Sequence, residues 1–193
     1  MNIGLLGGSF NPAHAGHRHV SVEALRRLGL DEIWWLVSPQ NPLKDADGMA
    51  PLAARLASAA VVARHPRIRP TAIESRLGTR FAVDTVAALQ HRFPHHRFIW
   101  IMGADNLLQF HRWKDWRNLA RLVPIAVVAR PHYIGPSFFA PAMAWLRRFR
   151  RRSGTAAQWT RWRLPAVVIL PIRLDPHSAT AIRSRDPRWA DRL

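Results

Sequence analysis

Met1-Asn2-Ile3-Gly4-Leu5-Leu6-Gly7-Gly8-Ser9-Phe10-Asn11-Pro12-Ala13-His14-Ala15-Gly16-His17 decides the fold. Asn2 to Leu6 is a short apolar strand, Gly7-Gly8-Ser9 is the turn that ends it, and Val20 to Leu28 reads as the helix that follows. A strand, a glycine turn and a helix in succession open a parallel α/β sheet, and such sheets bind ligands at the carboxyl ends of their strands. Gly7 and Gly8 let a backbone come close to a phosphate, and the unpaired N–H groups of a helix start favour an anion. His14 and His17 lie one helical turn apart and share a face. Imidazoles placed beside a phosphate stabilise the charge that builds on non-bridging oxygens during phosphoryl or nucleotidyl transfer. The same spacing suits metal ligands or a helix cap, although no third ligand at matching spacing and no thiol accompanies the pair. A P-loop lysine and a dinucleotide G-x-G-x-x-G are both missing from this turn, so ATPase and dehydrogenase readings fail.

Outward from this segment, apolar runs recur between helical stretches. Strands are expected at Ile33 to Val37, Ile68 to Ile73 (interrupted by Pro70), Phe98 to Met102, Ile125 to Ala129 and Val167 to Leu170. Helices are expected at Leu52 to Ala63 and Val83 to Arg92. Continuous apolar strands alternating with helices predict a parallel α/β sheet buried on both faces. The chain, 193 residues long, is expected to form a single domain with a variable basic excursion at about 131–165.

Composition narrows the function classes. With 48% hydrophobic and 21% charged residues the chain is globular rather than disordered. The absence of cysteine excludes disulfides, thiolate metal sites and cysteine nucleophiles. No leader pattern and no run of roughly 20 apolar residues is present, so a cytoplasmic location is expected. The net charge of +17 points to anionic partners. It is concentrated at Arg147, Arg148, Arg150, Arg151, Arg152, Arg161 and Arg163.

The His14-Ala15-Gly16-His17 motif after a glycine-bearing first strand resembles the H-x-G-H mark of the cytidylyltransferase-like nucleotidyltransferase superfamily. The resemblance implies a Rossmann-like sheet with helices on both faces. It also implies in-line attack of a substrate phosphate on the α-phosphate of ATP, with pyrophosphate released. Four further segments are similar to the bacterial nicotinate-nucleotide adenylyltransferases, and the likeness runs from Met1 to about Arg183. Ser38 to Lys44 is similar to a segment that helps bind phosphate, with Asn41 and Lys44 as its candidates. Met102-Gly103-Ala104-Asp105-Asn106 ends a buried strand, where Gly103 permits close approach and Asp105 accepts from a ribose hydroxyl. The spacing from Gly103 to Trp113 matches that of the family, whose tryptophan stacks on the pyridine ring.

Phe81-Ala82-Val83-Asp84-Thr85 resembles the family's aromatic-Thr-x-Asp-Thr motif, with Phe81 for tyrosine and Ala82 for threonine. The family reads the nicotinate carboxylate there through backbone groups. Ser178-Ala179-Thr180-Ala181-Ile182-Arg183 resembles Ser-Ser-Thr-x-Ile-Arg, a phosphate motif, with Ala179 replacing one hydroxyl. The resemblance thus implies His14, His17, Lys44 and Arg183 as catalytic groups. It implies Gly7, Gly8, Ser9, Phe10, His14, His17, Gly103, Asp105, Ser178, Thr180 and Arg183 for ATP. Asn41, Lys44, Phe81, Ala82, Asp84, Thr85 and Trp113 are implied for the nicotinate nucleotide. Mg²⁺ is implied as the companion of ATP, with no dedicated metal site.

Several of these residues have structural readings of their own. A lone tryptophan is usually core, a loop lysine is usually solvated, and Asp84 and Thr85 suit the cap of a helix beginning near Val86. Two alternatives to the nicotinate reading concern the whole chain: an adenylyltransferase for nicotinamide mononucleotide or phosphopantetheine, and a nucleic-acid-binding module built on the arginines around Trp145, Phe149, Trp159 and Trp162. The latter does not require the H-x-G-H segment, and no stable nucleic-acid partner is expected.

Overall fold

Every strand of the sheet runs in the same direction. In the computed structural model, residues 1–39, 48–129, 135, 139–172 and 179–192 are described. Their strands are β1 (Asn2–Gly8), β2 (Glu32–Val37), β3 (Ile68–Thr71), β4 (Arg97–Gly103), β5 (Ile125–Ala129), β6 (Arg150–Arg151) and β7 (Val167–Pro171). All pair in parallel, in the order β3-β2-β1-β4-β5-β7-β6. The winding reverses between β1 and β4, which lie side by side, so a crevice opens at their carboxyl ends.

The apolar runs work because successive strand residues serve opposite faces. On β4, Phe98, Trp100 and Met102 join one core layer while Ile99 and Ile101 join the other. On β5, Ile125, Val127 and Ala129 take the first layer, and Ala126 and Val128 the second. The first layer is covered by α3 (Ile73–Leu77), α4 (Ala82–Arg92), α5 (Ala104–Gln109), α6 (Trp116–Leu122) and the short helix Met143–Leu146. The second is covered by α1 (Ala15–Leu28), α2 (Leu52–Ala63) and the 3₁₀ segment Ser153–Arg161.

Several boundaries differ from expectation. Helix α1 begins at Ala15 rather than Val20, because His14 takes the extended N-cap conformation and the helix continues to a left-handed Gly29. The third strand ends at Thr71, and Ile73 opens a helix instead of closing the strand. Helix α4 starts at Ala82, so Asp84 and Thr85 lie within its first turn and do not precede it. The basic stretch contributes β6, and its Trp159 is buried, its indole donating to Leu28 O at 2.9 Å. Trp159 and Ala156 therefore belong to the core, while on the other side of the sheet Trp145 packs between Trp116 and Phe149. No helix among the described residues is long and apolar enough to cross a membrane.

Candidate active site

The turn after β1 is held by aromatic packing. Phe10 adopts a left-handed backbone (φ 48°), a conformation costing a non-glycine residue about 1–2 kcal/mol. Its ring offsets that cost by lying buried between Trp35, stacked at 5.0 Å, and His17 at 4.7 Å. The Trp35 indole donates to Ser21 Oγ at 2.7 Å, and the Ser21 hydroxyl donates to His17 O at 2.9 Å. Phe10, Trp35 and Ser21 thus form a closed frame around His17. The Phe10 side chain faces the core.

His14 and His17 come together at the crevice, with ring centroids 3.9 Å apart. His17 Nδ1 accepts the backbone N–H of His14 at 3.2 Å, so His17 occupies the third helical position of a capping box. In the neutral ring this places the proton on Nε2.

Each of the three candidate glycines has a side chain of the protein beside it. A Cβ on Gly7 would stand 2.9 Å from Trp100 Cζ2 and Cη2, so Gly7 makes room for the Trp100 ring beneath the crevice. At Gly8 the neighbour is the Phe10 ring, at 3.3 Å. At Gly103 a Cβ would collide with the carboxylate of Asp105, which folds back over the end of β4 while remaining exposed.

Arg183, on the helix Ala179–Arg185, donates from Nη1 to Asn11 O at 2.5 Å. That bond brings the carboxyl-terminal motif onto the turn after β1. Thr180 is exposed on the same helix, with its hydroxyl 3.4 Å from Arg183 Nη2. Ser178, Asn41 and Lys44 lie outside the described residues.

Trp113 sits half-buried on the β4 side, edge-on to Trp100 at 5.9 Å and to Phe110 at 5.3 Å. Because Trp100 also underlies Gly7, one ring connects the phosphate turn with Trp113. The α4 segment meets the same region through Lys114, which pairs with Asp84 Oδ2 at 3.0 Å and lies over the Phe81 ring at 4.6 Å. Both ends of that ion pair are substantially exposed, so it contributes at most about 1 kcal/mol. The Thr85 side chain is fully buried and bonded to Glu74 Oε1, Thr79 Oγ1 and Phe81 O. Its N–H is paired with Phe81 O, which leaves those of Ala82, Val83 and Asp84 as the helix-start donors without an intrahelical acceptor. Glu74, 6% exposed, has its carboxyl pushed by burial up to about 7, with the Thr85 hydroxyl pulling partly back.

Residues 5–185 match the cytidylyltransferase-like family. The chain belongs to that family. Within it, a curated relative from Erythrobacter litoralis, named "Probable nicotinate-nucleotide adenylyltransferase", is 57% identical over 192 residues, covering 100% of this chain and 88% of its own length. A relative of the same name from Parvibaculum lavamentivorans is 52% identical over 185 residues, covering 96% and 92%. The cytidylyltransferase-like fold is shared with Plasmodium falciparum nicotinic acid mononucleotide adenylyltransferase. In complex with NaAD its structure aligns at TM-score 0.70 and 16% identity, covering 95% of this chain and 82% of that one. In complex with APC the TM-score is 0.68 at 15% identity, with the same coverage.

Sequence reasoning passed over Lys114, Glu74, Arg55 and the side chain of Asn11. Lys114 and Asn11 lie inside the recognised segments. Arg55 carried a signal of its own, as a lone charge within the apolar helix Leu52 to Ala63.

Proposed function

We propose that this protein transfers the adenylyl group of ATP to nicotinate mononucleotide, giving nicotinic acid adenine dinucleotide and pyrophosphate in NAD biosynthesis. The observation that carries the reading is the meeting of the His14–His17 pair with Arg183 on one turn at the β1–β4 crevice. The names of the close relatives supply the acceptor. One nucleotidyltransferase domain is taken to do this work.

A phosphate oxygen of the mononucleotide attacks the α-phosphorus of ATP. A new P–O bond forms, the bond from Pα to the bridging oxygen breaks, and pyrophosphate leaves with that electron pair. No covalent enzyme intermediate is needed. His17 Nε2 and His14 donate to the non-bridging oxygens as charge builds, and Arg183 meets the triphosphate. The backbone of Gly7 to Phe10, with Thr180 and Ser178, borders the phosphates, and Asp105 accepts from the ribose. Lys44, with Asn41, meets the acceptor phosphate. Trp113 stacks on the pyridine ring, beside Phe81, while the free N–H groups at the start of α4 suit the nicotinate carboxylate. ATP enters as its Mg²⁺ complex. The donors at the turn are imidazoles and a guanidinium, which suit phosphate oxygens rather than a hard cation, so the ion would ride on the phosphates. The reaction belongs in the cytoplasm, where ATP is supplied.

The test is pyrophosphate release from ATP with nicotinate mononucleotide, nicotinamide mononucleotide and phosphopantetheine compared side by side. Fastest turnover with the nicotinate nucleotide is expected. Equal or better turnover with the amide removes the nicotinate assignment.

A further inference from the structure

Arg55 is a charged side chain in the middle of an apolar helix, and it is 1% exposed. Among the described residues no carboxylate stands within ion-pair distance of it. Its guanidinium instead donates to four backbone carbonyls: Nε to Ala50 O at 2.8 Å, Nη1 to Ser9 O at 2.8 Å and to Ser38 O at 2.6 Å, and Nη2 to Pro39 O at 2.9 Å. Those carbonyls come from three separate segments: the turn after β1, the exit from β2, and the approach to α2. The amide of Asn11, itself 7% exposed, joins the same segments from the other side. Its Nδ2 donates to Gly48 O at 2.8 Å and its Oδ1 accepts from Ala50 N at 3.2 Å. The carbonyl of Asn11 is the group that receives Arg183.

A buried cation with no carboxylate partner among the described residues is an expensive way to stabilise a fold, since an apolar side chain of similar volume packs at less desolvation cost. What a guanidinium adds is geometry: a planar fork of fixed donors that sets several acceptors at defined separations. Here every acceptor is irregular backbone at the carboxyl edge of the sheet. We infer that Arg55, together with Asn11, is a positioning clamp that fixes the Ser9–Asn11 turn against the segments Ser38–Pro39 and Gly48–Ala50, holding the phosphate groups of the two substrates in line. The inference rests on the adenylyl-transfer reading above. Neither side chain needs to touch substrate; both act through the turn that does.

The experiment compares Arg55→Lys and Asn11→Ala with the wild-type protein by steady-state kinetics, calorimetric titration with ATP, and thermal unfolding. Gln90→Ala serves as a control, because it removes a half-buried bond to Leu122 O on the far core layer. Lysine keeps the charge of Arg55 but lacks the fork. Since misplacing reacting groups by about 1 Å costs up to about 10²-fold, kcat at saturating substrates is expected to fall 10- to 100-fold in Arg55→Lys. Asn11→Ala should move in the same direction, and the double variant should lose less than the product of the two. Gln90→Ala should lower the melting temperature without lowering kcat. If Arg55→Lys is folded and keeps kcat and both KM values within twofold of wild type, the clamp is overturned. Should that variant not fold, Asn11→Ala decides alone, and a folded Asn11→Ala with wild-type kcat overturns it equally. Failure of the wild-type protein to bind ATP would instead remove the underlying adenylyl-transfer reading, so the two failures are separable.

Discussion

Replacing Glu74 by glutamine should abolish a pH dependence of stability that the wild-type chain carries near neutrality. The Glu74 carboxyl is buried against Thr85 and titrates at about 7, against an ordinary value of 4.5. Between those values the folded protein keeps a proton that the unfolded chain has released. Stability therefore falls as the pH rises from 4.5 to 7 and is level on either side of that window. The difference of about 2.5 pH units, at 1.36 kcal/mol each, sets the loss at about 3 kcal/mol. For a chain of this size each kcal/mol moves the melting temperature by about 2–4 °C, so the expected fall is about 6–12 °C. Glutamine keeps an oxygen to accept from the Thr85 hydroxyl and has no charge to bury. Thermal unfolding of the two proteins at half-unit intervals from pH 5 to 8 should give curves that diverge progressively, with Glu74→Gln the more stable at the alkaline end. A difference that stays constant with pH would refute the reasoning, whatever its size.

His14→Ala and His17→Ala should each lower kcat by about 10²–10³, the effect of losing one donor to transition-state charge. His17→Ala should also cost about 1 kcal/mol of stability, because it removes the acceptor of the His14 N–H; near-normal kcat at saturating ATP would deny the role of that histidine. Trp113→Ala should raise KM for the pyridine nucleotide by an amount corresponding to about 1–3 kcal/mol and leave ATP binding unchanged. If both KM values move and the protein unfolds, the ring is only core packing against Trp100. Gly7→Ala should destabilise by about 1–3 kcal/mol, since its methyl would press on the Trp100 ring at 2.9 Å; an unchanged melting temperature would contradict that contact. Joint replacement of Arg147, Arg148, Arg150, Arg151 and Arg152 by Gln should change kcat little and lower kcat/KM chiefly at low salt. The reason is position: β6 pairs with Val167 and Val168 at the amino-terminal end of β7, three strands or about 14 Å across the sheet from β4. A drop in kcat of two decades in the folded variant would place the cluster at the triphosphate.

The sheet was legible because its strands are buried on both faces, and long apolar runs have few other uses. The β1 turn was legible because chemistry restricts which residues stand there. Helix starts were harder to place. His14 as an N-cap and Phe81 before α4 offer none of the usual serine, threonine or aspartate signals, and their conformations are set by packing and by backbone partners distant in sequence. The side chains beside the glycines were not legible, because Trp100 and Asp105 meet them only in three dimensions. The two-residue β6 has no periodicity to detect, and its pairing with β7 alone defines it. Arg55 shows the same limit from the other side: its anomaly is plain in the sequence, but its four acceptors are carbonyls, which every residue has.

The bond from Arg183 to Asn11 spans 172 residues, and that span has a consequence in time. The turn after β1 is synthesised before β2 to β7, whereas its guanidinium partner follows them. At about 5–20 residues per second, roughly 10–35 s of translation separate the two. A nascent or prematurely terminated chain can build its sheet and display the histidine pair, yet it lacks the arginine that reaches the turn. Under the proposed reading, a chain ended before Arg183 should turn over ATP about 10²–10³-fold more slowly than one made through it.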